Sequence, residues 1–179
     1  MSAATRPDAP SRARNVRLAL FDVDGVLTDG RLWYGPSGET MKAFHILDGH
    51  GLKMLAGAGV ATGLLSGRNS EAVLARAREL GLAHVMLGAG DKLARFEELV
   101  RKLGLAPAQC AFVGDDLPDL PVLRRCGFAV AVANAVPEVK AAAHHVTTAS
   151  GGHGAVREFC EFVMRAQGTY ETAPGRHLA

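Results

Sequence analysis

Apolar and polar positions come in short alternating blocks along this chain. Residues 16–21 form a nearly unbroken apolar run, and similar runs recur at 61–65, 84–87, 110–113 and 128–132, with a shorter one at 145–147. Runs of this length, apolar at odd and even positions alike, predict strands buried on both faces, as in a parallel sheet. Helical patterns lie between them. Asp91 opens one with Leu93, Phe96, Leu99, Val100 and Leu103 on a single face, and Gly104 closes it. Asn69 or Ser70 is placed to cap another that ends at Gly81, and further helices are predicted over 49–58, 118–125, 137–142 and 155–166. Strand and helix in alternation predict an α/β fold: a Rossmann-like, doubly wound parallel sheet with helices on both faces. One segment breaks the rhythm. Residues 31–44, with Trp33-Tyr34-Gly35-Pro36-Ser37-Gly38 at their centre, read as a β-hairpin flap after the first strand. Residues 1–15 and 169–179 lack either pattern, so a disordered tail over 1–15 and a C-terminal tail over 169–179 are expected around one domain over 16–168.

Composition narrows the function classes. In 179 residues, 48% are hydrophobic and 21% charged, enough for one domain with a real core. The net charge is +2 with no block of Lys and Arg, so no nucleic-acid partner is expected. No apolar segment has membrane-spanning length, and residues 1–15 lack the apolar stretch of a signal peptide, so no membrane partner is expected either. The three cysteines, Cys110, Cys126 and Cys160, are far apart and odd in number. They read as buried free thiols in a reducing cytoplasm rather than as a metal site.

The chemistry sits where the predicted strands end. The first strand runs into Asp22-Val23-Asp24-Gly25, the second into Ser66-Gly67-Arg68, and the fourth into Gly114-Asp115-Asp116-Leu117-Pro118-Asp119, while Asp91-Lys92 follows the third. In open α/β sheets ligands bind at the carboxyl ends of strands. Asp22 and Asp24 repel one another unless a cation or a shared proton lies between them. Each cluster alone has an ordinary structural explanation: a strand-to-turn signal, a polar strand terminus, a solvated lysine, helix-capping acids. Lys92 in a helix first turn opposes the macrodipole, which calls for a negative partner. Acids from two strand ends make an oxygen-rich site of the kind Mg²⁺ accepts.

Taken in order, Asp22-Val23-Asp24-Gly25, Ser66, Lys92 and Gly114-Asp115-Asp116-x-x-Asp119 resemble the motifs of the haloacid dehalogenase-like phosphohydrolases. The resemblance implies an aspartyl-phosphate mechanism with Asp22 as nucleophile and Asp24 as acid and base. It implies Mg²⁺ held by Asp22, the main-chain carbonyl of Asp24, and Asp115. Ser66, Gly67 and Lys92 would bind phosphate, and Asp116 and Asp119 would orient Lys92 and metal-bound water. Neither the segment after Asp24 nor that between Ser66 and Lys92 has room for a cap domain. Thr28-Asp29-Gly30, Lys42-Ala43-Phe44-His45, Asp48-Gly49-x-Gly51, Gly67-Arg68 and Gly151 to Glu158 look like the capless members that act on 3-deoxy-D-manno-octulosonate 8-phosphate in lipopolysaccharide precursor synthesis. That likeness implies a small acidic sugar phosphate as substrate, contacted by His45, Asp48, Gly49, Lys53, Arg68 and Arg76, and a homo-oligomer, a tetramer, in which Leu32, Trp33 and Tyr34 meet a neighbour. Leu47 and His153 stand where some members carry arginine. Alternatives are a phosphatase of a nine-carbon acidic sugar phosphate such as N-acylneuraminate 9-phosphate, and a non-catalytic phosphosugar-binding protein on the same fold.

Overall fold

The structure, a computed structural model, describes residue 6 and residues 8–174. In chain order the elements are α1 (Ala9–Arg14), β1 (Leu18–Phe21), β2 (Trp33–Gly35), β3 (Gly38–Met41), α2 (Ile46–Gly57), β4 (Ala61–Leu65), α3 (Glu71–Leu80), β5 (His84–Met86), α4 (Lys92–Lys102), β6 (Cys110–Gly114), α5 (Leu120–Arg125), β7 (Phe128–Ala131), α6 (Pro137–Ala142), β8 (His145–Val146) and α7 (Ala155–Gln167). The apolar runs pair in parallel as a six-stranded sheet of order β5-β4-β1-β6-β7-β8. From β1 the chain moves outward to β4 and β5, then crosses back to β6 on the other side of β1. That reversal leaves a crevice beyond the carboxyl ends of β1 and β6. Helices α1, α2 and α7 pack together, as do α4, α5 and α6. The two groups cover opposite faces of the sheet, as right-handed crossovers require. β2 and β3 form a separate antiparallel hairpin, the only insertion between β1 and α2, and there is no cap domain among the described residues.

Phe159 of α7 joins helix layer to sheet. Its ring meets that of Phe21 edge-on at 5.3 Å and stacks on Phe128 at 6.1 Å. Alongside it, α7 runs against α2, where Gly51 lets the backbones close: a Cβ there would meet the Arg157 Cα at 3.1 Å. Asp48 locks this seam. It is buried in the first turn of α2, and its carboxylate accepts hydrogen bonds from the N–H groups of Arg157 (2.8 Å) and Gly154 (3.3 Å), at the N-terminus of α7. Asp48, expected as a substrate contact, thus meets the orphan amide donors of a helix that needs a cap.

Both tail expectations need correction where the structure describes the chain. Residues 9–14 form α1, with Ala9 and Ala13 fully buried on α7 and the Gln167 amide donating to the carbonyls of Ala13 and Val16. Two alanines one turn apart are too weak a signal to read as a buried stripe, and only α7 makes them one. At the other end, the Arg165 guanidinium lies 3.7 Å over the Tyr170 ring, Ala173 is buried, and Pro174 fills the space beside Gly57. Residues 1–5, 7 and 175–179 of the expected tails lie outside the described residues. Cys110, Cys126 and Cys160 are buried and free.

Asp48→Ala is expected to lower unfolding stability by about 1–3 kcal/mol, the scale for losing a buried cap and stranding its donors. Urea melts check this; unchanged stability would show that the carboxylate does not cap α7.

Candidate active site

Parallel pairing of β1 with β6 puts Phe21 beside Val113, so Asp22 and Asp115 emerge from neighbouring strands at the same rim. The turn after β1 is tightly tied. Thr28 Oγ1 accepts from the N–H groups of Gly25 and Gly30, both at 3.3 Å. Asn134 donates to the Gly25 carbonyl at 3.0 Å and accepts from Gly151 N–H at 2.7 Å. Gly25 has φ +89°, and a Cβ there would lie 2.1 Å from Asp115 Oδ2, so glycine is what lets the β6 carboxylate reach the β1 turn. After β6, a 3₁₀ turn (Leu117–Asp119) folds Asp119 completely inside. Its Oδ2 accepts from Asp115 N–H at 2.9 Å and Asp116 N–H at 3.3 Å, and its Oδ1 accepts from Lys92 Nζ at 2.7 Å. Lys92 Nζ also sits 2.9 Å from Asp22 Oδ1. The negative partner that Lys92 needed at its helix start is therefore a pair of carboxylates.

These groups line one cleft of about 320 Å³, together with Asp24, Ser66, Gly67, Arg68 and Asp116. Ser66 ends β4 with its hydroxyl accepting from Arg68 N–H at 3.3 Å. Asp116 is exposed and caps its own turn, accepting from Leu117 N–H at 2.8 Å; of the expected orienting pair, Asp119 is the one that contacts Lys92.

The hairpin supplies a second charge network that sequence reasoning missed. Lys42, just past β3, is buried and hydrogen-bonds to Asp24 Oδ1. It also lies 3.1 Å from Glu39 Oε2. Glu39 further accepts from Arg68 Nη2 at 3.0 Å and from the Ser70 hydroxyl at 2.6 Å. Ser70 does sit at the N-cap of α3, but it spends its hydroxyl on Glu39 rather than on the helix. Although burial opposes it, hydrogen bonds from Ser70, Arg68 and Lys42 hold the Glu39 carboxyl down at about 2. Lys42 stood in the Lys42-Ala43-Phe44-His45 segment that resembles the capless members, without a role attached; Glu39 had no signal beyond its place in a hairpin close after the Asp22 motif.

A strand-end carboxylate beside a buried ammonium, with hydroxyl and amide donors facing it, suits attack on a tetrahedral oxyanion of high charge. The comparisons point the same way. A haloacid dehalogenase-like hydrolase model matches residues 79–159, which include Lys92 and Asp115 to Asp119. The 3-deoxy-D-manno-octulosonate 8-phosphate phosphatase of Escherichia coli strain BL21-DE3 is 41% identical over 171 residues, 96% of this chain and 91% of that protein. A probable YrbI family phosphatase of Pseudomonas syringae superposes with TM-score 0.90 at 50% identity, over 92% of this chain and 94% of that one. The 3-deoxy-D-manno-octulosonate 8-phosphate phosphatase of Moraxella catarrhalis, solved with magnesium, phosphate and KDO, superposes with TM-score 0.89 at 41% identity, over 92% and 95% of the two chains. This chain belongs to the haloacid dehalogenase-like hydrolases.

The donor set fits the divalent metal of this hydrolase family. Asp22, Asp115 and Asp119 can each bring an oxygen within 4.8 Å of the others. Both Asp119 oxygens are already engaged, by Lys92 and by backbone amides, whereas the buried Oδ1 of Asp115 has no hydrogen-bond partner. Asp22 and Asp115 are therefore the side chains that await a cation. Burial, then Asp119, push Asp22 up to about 6 against the pull of Lys92. Burial, then Asp22, Asp119 and Asp116, push Asp115 up to about 7. Burial works against the Lys92 ammonium, but Asp22 and Asp119 outweigh it and hold its pKa above the usual value.

The remaining residues expected at the substrate lie elsewhere. His45, Gly49 and Arg76 line a small apolar cavity that shares no residue with the cleft. Gly49 makes room for Arg76: a Cβ there would meet Arg76 Nη2 at 2.2 Å. Arg76 pairs with Glu79 at 2.8 Å, and Lys53 is exposed on α2. Of that expected set only Arg68 reaches the cleft.

A carboxyl whose pKa is raised by folding stabilises the fold while protonated and loses that contribution as pH rises through its folded value. The metal-free protein is accordingly expected to lose stability between about pH 4 and pH 7, from the ordinary carboxyl range up to the raised values of Asp22 and Asp115. Adding Mg²⁺ should raise Tm more at the upper pH than at the lower. Thermal melts with and without chelator measure this, and a Mg²⁺ shift equal at both pH values would contradict it.

Proposed function

We propose that this chain is a Mg²⁺-dependent phosphomonoesterase that hydrolyses 3-deoxy-D-manno-octulosonate 8-phosphate to the free sugar acid and phosphate. The observation that carries the choice of substrate is the near full-length match to phosphatases of that name. The cleft supports the reaction type. Lys92 Nζ, the Ser66 hydroxyl and the Gly67 amide receive the phosphate oxygens. Asp22 Oδ attacks phosphorus to form an aspartyl-phosphate, and Lys92, held by Asp119, keeps the nucleophile ionised and aligned. Asp24 gives a proton to the departing sugar oxygen and then takes one from the water that cleaves the aspartyl-phosphate. Asp22, the Asp24 carbonyl and Asp115 would hold Mg²⁺. When bound, the ion offsets repulsion between nucleophile and phosphate and neutralises charge in the transition state. Arg68, with its guanidinium partly open to the cleft, is the cation for the sugar carboxylate.

The working form is proposed to be a homo-oligomer, a tetramer, assembled through the hairpin. Trp33 is 54% exposed and Tyr34 63%, Met41 is paired across from Trp33, and Ile46 and Leu47 continue the apolar surface into α2. Such a patch exceeds what an isolated two-stranded ribbon normally shows to water. A reducing cytoplasm suits the three free thiols, and among the described residues no helix is long and apolar enough to cross a membrane.

A phosphate-release screen over acidic sugar phosphates of six to nine carbons, with Mg²⁺ and with chelator, tests the reading. The eight-carbon substrate should be preferred, and Asp22→Asn should lose at least ~10³-fold in kcat, the scale for removing a nucleophile. Preference for the nine-carbon N-acylneuraminate 9-phosphate, or full activity in chelator, would overturn it. Trp33→Glu should shift the mass by light scattering toward smaller species and lower activity with it; a fully active wild-type monomer would remove the assembly from the account.

A further inference from the structure

We infer that Lys42 is a positioning residue for proton transfer: from the hairpin it pins one oxygen of Asp24 and leaves the other free to serve the leaving group. This rests on the proton-transfer role proposed for Asp24 and deepens it.

The two oxygens of Asp24 are in unlike surroundings. Oδ1 accepts from Lys42 Nζ. Oδ2 is buried and accepts no hydrogen bond; Arg68 Nε, 3.6 Å away, faces it at ion-pair distance but beyond hydrogen-bonding distance. A carboxylate on a short side chain turns about its terminal torsion, which has broad wells. Holding one oxygen decides where the other points. A buried ammonium does this more firmly than a neutral donor, because the charge-assisted bond is stronger where water is excluded.

Lys42 is itself held. Its side chain is 1% exposed, and Glu39, three residues earlier in the hairpin, fixes the ammonium at 3.1 Å. Glu39 is anchored across the rim by Arg68 and Ser70. The chain of contacts therefore runs from the α3 start through Glu39 and Lys42 to Asp24, and the hairpin does more than cover the cleft. A long, flexible side chain that loses its freedom inside a protein is costly unless its partners are worth it. Anchoring the hairpin alone would be met by the Glu39 contacts to Arg68 and Ser70.

Leaving-group chemistry separates positioning from anchoring. An alkyl phosphate, such as the best sugar phosphate of the screen, expels an alkoxide that needs a proton. p-Nitrophenyl phosphate expels a stabilised anion that does not. For both, kcat/KM reports the steps up to aspartyl-phosphate formation. Asp24→Asn should cut kcat/KM on the sugar phosphate by about 10²–10⁴-fold, the range of general acid catalysis, and far less on p-nitrophenyl phosphate. Lys42→Met should cut the sugar phosphate value by about 10–100-fold and leave the p-nitrophenyl value within about threefold. Should Lys42→Met not fold by thermal melt, Lys42→Gln is measured with the same expectation. Equal losses on both substrates, or none on the sugar phosphate, while Asp24→Asn remains selective, would overturn the role of Lys42. A non-selective Asp24→Asn would instead overturn the proton-transfer reading beneath it.

Discussion

Parallel pairing of β1 and β6 delivers carboxylates to one rim, and burying them together is the constraint around which the site is built. Asp22, Asp115 and Asp119 lie close enough to share a cation, and the exposed Asp116 adds its charge at the edge. In a half-buried crevice such charges repel strongly and lose hydration. Lys92 answers part of the repulsion by bonding Asp22 and Asp119 at once. Asp119 answers another part by accepting backbone amides of its own turn. What is left uncompensated falls on Asp22 and Asp115, whose raised pKa values express it. The electrostatic debt of the fold and its appetite for a metal are the same quantity.

Glycine permits this crowding. Gly25 stands where any Cβ would run into Asp115, Gly114 where one would meet Asp119, and Gly151 where one would lie 1.8 Å from the Gly25 carbonyl. The backbones of Gly151 and Gly25, remote in sequence, thus meet at the β1 turn, and the Asp115 side chain reaches into the same turn. Asn134 ties the two backbones with its amide. Only Gly25 of these three needs a positive φ; the others are small for want of space.

The hairpin stands between the cleft and solvent. Glu39, Lys42 and the Tyr34 hydroxyl, which accepts from Arg68 Nη2 at 3.0 Å, reach the rim, while Trp33 and Met41, paired across the ribbon, are exposed. A ribbon of this size has little stability alone. The ion pair of Glu39 with Arg68 and its hydrogen bond from Ser70 hold it against the rim.

Much of the fold was legible in the chain. Apolar runs marked every strand of the large sheet, Asp91 capped α4 as its position predicts, and Gly81 closed α3 in the left-handed conformation. The strand-end clusters at Asp22, Ser66, Lys92 and Asp115 were legible too, because each is a local pattern and the topology rule says where strand ends gather. Local patterns determine what an element is and where it stops. They do not determine which distant element comes alongside. Only packing decided that Asp119 rather than Asp116 holds Lys92, that Asp48 caps α7 instead of facing a ligand, that Ser70 bonds Glu39 instead of its own helix, and that Ala9 and Ala13 are core. A carboxylate or hydroxyl takes the strongest unpaired donor or acceptor within reach, and the identity of that neighbour exists only once the chain has folded.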